Sequence, residues 1–122
     1  MAPVKFEVQG KLFDPKTDLP MDGYSVICET GISDEHSLLQ TLSVGPVAHT
    51  DSEGSFLSTF FAQGFRVPGE IEVNIEFGPG NWRACSVPVA LDMIRVGHEQ
   101  SVSIDLGGIK VDFDMCRAPT EK

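Results

Sequence analysis

At the centre of this chain lies the stretch His49-Thr50-Asp51-Ser52-Glu53-Gly54-Ser55-Phe56. An aspartate can bond its own backbone two residues on, and a glycine can adopt the positive φ that closes a hairpin with a bulge. Asp51 and Gly54 hold these positions; a polar, β-capable run precedes them and the aromatic run from Phe56 to Phe61 follows. The stretch therefore predicts a tight hairpin turn between two strands.

Alternation of apolar and polar residues on both sides of this turn predicts short strands. The runs that place apolar side chains on one face are Val4, Phe6, Val8 and Leu12; Tyr24, Val26 and Cys28; Ile71, Val73, Ile75 and Phe77; Cys85, Val87, Val89 and Leu91; and Val102, Ile104 and Leu106. Turn residues separate these runs, and no long helix is indicated. Seven or eight short strands predict an all-β fold, an antiparallel β-sandwich.

Residues 37–44 fit two kinds of structure. Leu38, Leu39 and Leu42 share one helical face, with Ser33 placed as an N-cap. A strand is favoured, because the segment then feeds directly into the central turn.

A glycine pair follows the run that ends at Leu106. Gly-Gly between two alternating runs is a strong signal for a two-residue hairpin, so Gly107-Gly108 predicts one. The strand after it would present Ile109, Val111, Phe113 and Met115.

The chain has 122 residues, of which 41% are hydrophobic, enough for one domain with a single core. We predict one β-sandwich domain over residues 1–122, with residues 116–122 as a flexible tail.

The formal net charge is −9, and the basic residues are scattered. Nucleic acids and anionic membranes require a positive patch, so neither is an expected partner.

The number and spacing of the cysteines indicate the redox environment of the protein. Cys28, Cys85 and Cys116 are odd in number and lack CxxC spacing, a pattern typical of free thiols in a reducing environment. No apolar run approaches the ~20 residues of a membrane helix, and the first residues lack the apolar core of a signal peptide. The sequence therefore predicts free thiols and a cytoplasmic protein, or a mature or excised piece of a larger one.

The order of the turn motifs resembles a known family. The motifs are Val8-x-Gly10-Lys11-Leu12-x-Asp14, Leu19-Pro20-Met21-x-Gly23-Tyr24-x-Val26, Thr50-Asp51-Ser52-Glu53-Gly54-x-Phe56 and Pro68-Gly69-x-Ile71-x-Val73. Over about residues 4–106 the chain is similar to carboxypeptidase regulatory-like domains, which belong to the transthyretin-like (prealbumin-like) group. The resemblance implies a seven-stranded Greek-key sandwich and an accessory, folding or binding module.

The same resemblance gives no catalytic residues. One branch of the group hydrolyses 5-hydroxyisourate and ends in a Tyr-Arg-Gly-Ser motif, which is missing from residues 115–122. His36, His49 and His98 have no metal-ligand spacing. We therefore expect no enzymatic activity, no metal and no cofactor.

The main functional prediction is a non-catalytic module that contacts another protein, or a second copy of itself, within an assembly. The terminal run Ile109, Val111, Phe113 and Met115 is the candidate interaction strand, because an edge strand can add to a neighbouring sheet. The favoured alternative for this run is that it completes its own sheet.

The second functional prediction is a module that binds a small ligand or carbohydrate. Its candidate platform consists of the loop aromatics Trp82, Tyr24 and Phe65. The alternative is that these rings pack the ends of the sandwich.

Overall fold

Two β-sheets pack face to face around one core. The computed structural model describes residues 3–33, 39–44, 46–63, 69–97, 101–113 and 116 of the 122-residue chain. The strands are β1 (Pro3–Phe13), β2 (Ser25–Ser33), β3 (Leu39–Val44), β4 (Ala48–His49), β5 (Ser55–Gln63), β6 (Glu70–Gly78), β7 (Asn81–Pro88), β8 (Ile94–Val96) and β9 (Ser101–Lys110). One turn of 3-10 helix, Leu91–Met93, precedes β8.

Sheet A has the strand order β5-β1-β9-β8, and sheet B has the order β3-β2-β6-β7. The short β4 pairs with β2 beyond the end of β3, so β3 and β4 together form one interrupted edge strand. Counted in that way the sandwich has eight strands, and the predicted all-β sandwich is confirmed. The parallel pair of β1 and β9 departs from the otherwise antiparallel pattern. These strands lie at opposite ends of the chain, so no hairpin imposes an antiparallel arrangement on them.

The core lies between the inner faces of the two sheets, as the alternation predicts, except at the ends of two runs: Phe77 is 41% exposed, and Leu91 lies in the 3-10 turn after β7 and is 84% exposed. Sheet A contributes the buried side chains Val4, Phe6, Val8, Leu12, Phe56, Phe60, Val102, Ile104 and Leu106, and sheet B contributes Val26, Cys28, Ile71, Val73 and Ile75. The rings of Phe6 and Phe60 stack with their centroids 5.7 Å apart. Removing these side chains from water is the main favourable term that holds the sheets together.

The segment with two interpretations forms a strand. Leu39–Val44 pairs antiparallel with β2, so the favoured prediction is confirmed for these residues. The remaining residues of the segment, 37 and 38, lie outside the described part of the chain.

The central turn has the predicted local geometry but not the predicted partners. Asp51 Oδ1 accepts hydrogen bonds from the backbone N–H groups of Glu53 and Ser55, both at 2.9 Å, and Gly54 has φ +76°. However, β4 before the turn belongs to sheet B and β5 after it belongs to sheet A. The turn is therefore a crossing between the two sheets rather than a hairpin within one sheet.

The predicted Gly107-Gly108 hairpin is wrong, because β9 runs through both glycines. Gln9 lies opposite Asp105 and Lys11 lies opposite Gly108, so β9 carries one extra residue at this point. This is a β-bulge, with Gly107 at φ +70° and its N–H donating to Asp105 Oδ1 at 2.9 Å. A bulge and a tight hairpin both require a glycine at positive φ, which is why the sequence pattern did not distinguish them.

The prediction of three free thiols is also wrong. Cys85 and Cys116, 31 residues apart in sequence, form a disulfide with a Cα–Cα distance of 4.9 Å. Residue 116, which the sequence placed at the start of a flexible tail, is therefore anchored to β7. Cys28 is the free cysteine among the described residues, and it is buried. An odd cysteine count does not exclude one intramolecular pair, and the fold brings these two together.

Candidate functional site

The aromatic residues predicted to form a ligand platform are not brought together. Trp82 and its cross-strand partner Glu76 lie on the outer face of sheet B. Tyr24 lies on the inner side of the same sheet, with its ring centroid 6.3 Å from that of Phe113. Phe65 lies outside the described residues. Trp82 alone therefore remains available as an outward-facing aromatic group from this set.

The predicted interaction strand is used within its own fold. Ile109 belongs to β9 and pairs with Leu12 of β1. Val111 is buried, and its N–H donates to a β1 carbonyl at 2.9 Å. Phe113 lies in a turn beyond the end of β9, and Met115 is outside the described residues. The run is thus not a separate strand. For Ile109 and Val111, the alternative prediction holds: these residues complete the chain's own sheet.

The chain after β9 closes the open side of the sandwich against β7. Arg83 Nη1 donates to the carbonyl oxygens of Phe113 at 2.7 Å and Cys116 at 3.2 Å. The guanidinium carbon of Arg83 also lies 5.4 Å from the centroid of the Phe77 ring, within cation–π distance. Together with the Cys85–Cys116 disulfide, these contacts fasten the C-terminal segment, defined here as Val111–Phe113 and Cys116.

A groove of about 700 Å³ opens where the outer face of sheet A meets β4 and the central turn. It lies beside the bulge, where Gly10, Gly107 and Gly108 contribute to its lining. A side chain on Gly107 would meet no atom within 4 Å, so this part of the groove is open to a ligand. The other lining residues are Gln9, Lys11, Val47, Ala48, His49, Asp51, Ser55, Phe56, Leu57 and Asp105. The volume is in the range of small-ligand sites.

The groove combines charged and apolar groups. Asp51 Oδ1 accepts backbone N–H groups of the central turn and Asp105 Oδ1 accepts the N–H of Gly107 at the bulge, which orients both carboxylates. Lys11 lines the same groove, so its lining includes two carboxylates and one ammonium group. Val47 and Leu57 are 51% and 53% exposed. A ligand with an apolar part and hydrogen-bond donors suits this lining.

An apolar strip continues from the groove along β5, the edge strand of sheet A. We define the strip as Leu57 and Phe61 of β5 together with Val47, which precedes β4 of sheet B and lines the same groove as Leu57. Leu57 and Phe61 stand on the outer face of β5, opposite Gln9 and Lys5 of β1, and Phe61 is 61% exposed. Large apolar side chains on an edge strand are typical of surfaces that contact other molecules.

The titratable and metal-binding groups add little chemistry. Burial raises the pKa of the Cys28 thiol to about 12, which keeps it protonated and poorly nucleophilic at neutral pH. In the described part of the chain, no three His, Cys, Asp or Glu side chains group together closely enough to hold a metal ion. Within the same residues no helix is long and apolar enough to cross a membrane.

Comparison with known proteins shows similarity of fold. No protein-family model and no curated protein matches the chain. Among solved structures, one similar chain is the dioxygenase domain of a dioxygenase carbohydrate-binding protein fusion from the cellulolytic bacterium Streptomyces sp. SirexAA-E. Identity is 14% over 91% of this chain and 82% of that chain, with a TM-score of 0.54.

A second similar structure is a 9R-lipoxygenase from Cyanothece PCC8801, with 17% identity and a TM-score of 0.50. The match covers 86% of this chain but only 16% of the lipoxygenase. Both likenesses support the sandwich fold. Neither structure is described as a carboxypeptidase regulatory-like or transthyretin-like domain, so that resemblance stays a prediction.

The groove and the strip were not predicted from the sequence. Most of their residues lie in loops or on the outward-facing side of a strand. The alternation pattern assigns both kinds of position to solvent. The available signal was the set of glycines at positions 10, 107 and 108, which mark an irregular place in two strands. That these strands are neighbours follows only from the sheet order.

Proposed function

We propose that this chain is a non-catalytic β-sandwich module that contacts another protein through the outer face of sheet A. The observation that carries the proposal is the apolar strip, in which Leu57 and Phe61 are more than half exposed on an edge strand. Natural proteins usually blunt such edges with charges, prolines or bulges, so exposed leucine and phenylalanine there favour a contact role.

The surroundings of the strip fit the same function. Lys5 and Glu7, on the neighbouring β1, form an ion pair at 3.7 Å with both side chains partly exposed. Protein interfaces commonly have an apolar centre and a polar rim of this kind. Ile109 and Val111 of the predicted interaction run pack within the chain's own fold. The outer face of β5 is therefore the proposed contact surface instead.

The strip can be tested by comparing two matched surface variants. Purified tagged protein, the Leu57→Ser/Phe61→Ser variant and a Leu91→Ser/Val96→Ser control would be used to isolate partners from an extract of the native source. Leu91 and Val96 are 84% and 63% exposed; Leu91 lies in the 3-10 turn, and Val96 lies in β8, the opposite edge strand of sheet A from β5. Each partner recovered would be purified and titrated by calorimetry, and light scattering would detect self-association.

The proposal expects a partner, or a second copy, that binds the wild type and the control but not the strip variant. A partner that binds all three proteins equally would place the interface elsewhere and overturn the role of the strip.

A second candidate function is carbohydrate binding on the outer face of sheet B. Trp82 is half-buried there, and the small residue Ala84 two positions along leaves room beside it. Glu76 and Asn74 are the cross-strand partners of these two residues. An aromatic face next to carboxylate and amide oxygens can hold a sugar ring and accept its hydroxyl hydrogens. One structural neighbour is the dioxygenase domain of a dioxygenase carbohydrate-binding protein fusion, which is why carbohydrates are the ligands tested first.

This candidate has a direct test because Trp82 is the single tryptophan of the chain. Intrinsic fluorescence would be followed during titration with β-1,4-linked oligosaccharides of glucose, xylose or N-acetylglucosamine. Binding on this face should shift or quench the emission saturably and should be lost in Trp82→Ala by calorimetry, but not in Leu91→Ala. Unchanged emission with all the sugars would argue against it.

The compartment is the third part of the proposal. The Cys85–Cys116 disulfide favours folding in an oxidising compartment, because disulfides are rare in the cytosol. The prediction of a cytoplasmic location depended on free thiols and loses that support. Alkylation with a mass-tagged maleimide during cell lysis in denaturant, without reductant, distinguishes the two: one tag per chain indicates the disulfide, and three tags indicate a reducing compartment.

A further inference from the structure

We propose that the groove on sheet A binds a short extended segment of the partner protein, one that carries an apolar side chain and, two residues away, a lysine or arginine. This inference rests on the proposed function and names the chemistry of the partner. The groove supplies three features for such a segment: apolar contacts at one end, a carboxylate at the other, and open glycine backbone at the bulge beside that carboxylate.

The register of sheet A sets the positions of the two ends. Leu57 of β5, Gln9 of β1 and Asp105 of β9 lie in one row across the sheet. Neighbouring strands lie about 4.8 Å apart, so Leu57 and Asp105 are separated by roughly 10 Å at the backbone. In an extended segment, side chains two residues apart point the same way and stand about 7 Å apart. A long basic side chain covers the remaining distance, which leaves the apolar side chain beside Leu57.

Charge favours a basic segment over an acidic one. Asp51 and Asp105 outnumber Lys11 in the groove, and the whole chain carries a net charge of −9. An acidic segment would therefore approach against both the local and the overall field, whereas a basic segment would be attracted. Since Asp105 Oδ1 is already positioned by the N–H of Gly107 at 2.9 Å, the carboxylate needs little reordering to accept a cation.

The glycine bulge allows close approach beside the Asp105 end of the groove. Gly107 has positive φ and no neighbouring atom within 4 Å of an added Cβ, so the surface above it is open. A peptide backbone can therefore lie closer to the sheet here than over residues with side chains. The exposed Val47 and Leu57 then bury apolar surface of the segment.

The test uses three synthetic peptides and the whole protein. The peptides are matched in length and glycine-serine flanks and differ only at two positions: leucine and lysine, leucine and glutamate, or serine and lysine. Binding would be followed by amide chemical-shift changes of the ¹⁵N-labelled protein and by fluorescence anisotropy of labelled peptide. The leucine-lysine peptide should bind about tenfold more tightly than either other peptide, with the largest shifts at Leu57, Gly107 and Gly108.

Matched variants separate the groove from general charge. Asp105→Asn keeps an oxygen that can accept the Gly107 N–H but removes the negative charge. Asp92→Asn changes the net charge equally at an exposed position outside the groove. Asp105→Asn should weaken leucine-lysine binding about tenfold and Asp92→Asn by less than about twofold. Proton spectra of both variants would confirm an intact fold.

Equal binding of all three peptides, or equal effects of the two asparagine variants, would overturn the inference. Absence of binding by every peptide would overturn it as well. These results are distinguishable from failure of the proposed function, because the strip variant is tested with an intact protein partner. If the strip variant loses its partner while the peptides do not bind, the contact surface stands and only the groove assignment fails.

Discussion

The central turn, Thr50–Ser55, and the C-terminal segment both attach irregular chain to the sandwich, but the interactions differ in range. Within the turn, Asp51 Oδ1 bonds residues two and four positions on, and Gly54 supplies positive φ. The C-terminal segment is held by Arg83 and Cys85, which lie 30 or more residues earlier in the chain. The first arrangement is determined by residues close together in the sequence, whereas the second depends on strands that meet only after folding.

The two regions also differ in what fastens them to the rest of the fold. The carbonyl of Gly54 accepts the N–H of Leu12 at 2.9 Å, and Thr50 makes backbone bonds with Gly23 and Tyr24. The turn is thus joined to sheet A and to the loop before β2 by main-chain bonds. At the C-terminal segment, one covalent bond and one charged side chain have this role. Four variants test whether this contrast is correct.

The largest effect is expected from removing the disulfide. Cys85→Ala/Cys116→Ala frees a loop of 31 residues, for which loss of the cross-link should lower the free energy of unfolding by about 3–4 kcal/mol. Guanidinium denaturation measures the change, and reduced wild type should give a similar midpoint. A groove of about 520 Å³ beside both cysteines makes the bond accessible to a dithiol reductant.

The thiol count provides the control for this variant. Unreduced wild type should show no reactive thiol when native and one, Cys28, when denatured, because burial protects that thiol and raises its pKa to about 12. Three reactive thiols in denatured, unreduced protein would mean that the disulfide is absent and that the C-terminal segment depends on Arg83 alone.

A somewhat smaller effect is expected in the turn from Gly54→Ala. A Cβ at Gly54 would lie 2.5 Å from the carbonyl oxygen of Leu12, in addition to the unfavourable φ of +76°. We expect a loss of about 3 kcal/mol, from backbone strain of about 1 kcal/mol and the displacement of Leu12. Gly80→Ala is the matched control, since Gly80 has φ +75° but nothing within 4 Å; it should lose about 1 kcal/mol. Equal losses in the two variants would show that the close packing of the turn is unimportant.

The third variant, Arg83→Met, removes the donor to two carbonyl groups of the C-terminal segment. It should lower the free energy of unfolding by about 2 kcal/mol, because methionine cannot donate the two charged hydrogen bonds that Arg83 gives to these partly buried carbonyl groups. Repeating it without the disulfide forms a double-mutant cycle, in which a smaller loss shows that both contacts fasten the same segment. Arg95→Met, at an exposed position of β8, should change stability by less than about 0.5 kcal/mol. Full additivity would indicate that Arg83 acts independently of the segment.

The smallest effect is expected from Thr50→Val. Thr50 Oγ1 accepts the backbone N–H of Tyr24 at 2.8 Å, and Thr50 is buried. Valine keeps the shape but leaves that N–H without this acceptor, which should cost about 1–2 kcal/mol in thermal or denaturant unfolding. Thr17→Val is the control, because Thr17 Oγ1 accepts the N–H of Leu19 at an exposed site and at 3.3 Å. If the two valine variants were equally stable, the side-chain bond of the turn would be dispensable.

Sequence patterns support the resemblance to carboxypeptidase regulatory-like domains, but they do not indicate the groove. The resemblance depends on turn glycines and alternation, which the sandwich explains without any shared function. The groove depends on the pairing of Gln9 with both Leu57 and Asp105. Nothing in the order of these residues along the chain indicates that they share one row of a sheet.

The sequence by itself determined the all-β class, the inner faces of the main strands and the conformation of Gly54. Burial on alternate positions is a property of each strand alone, and positive φ at a glycine is a property of a few adjacent residues. The tertiary structure alone decided that β4 and β5 lie in different sheets, that β9 continues through Gly107 and that Cys85 meets Cys116. Each of these depends on which strands become neighbours, and that is set by burying both sheets' inner faces at once rather than by any local pattern.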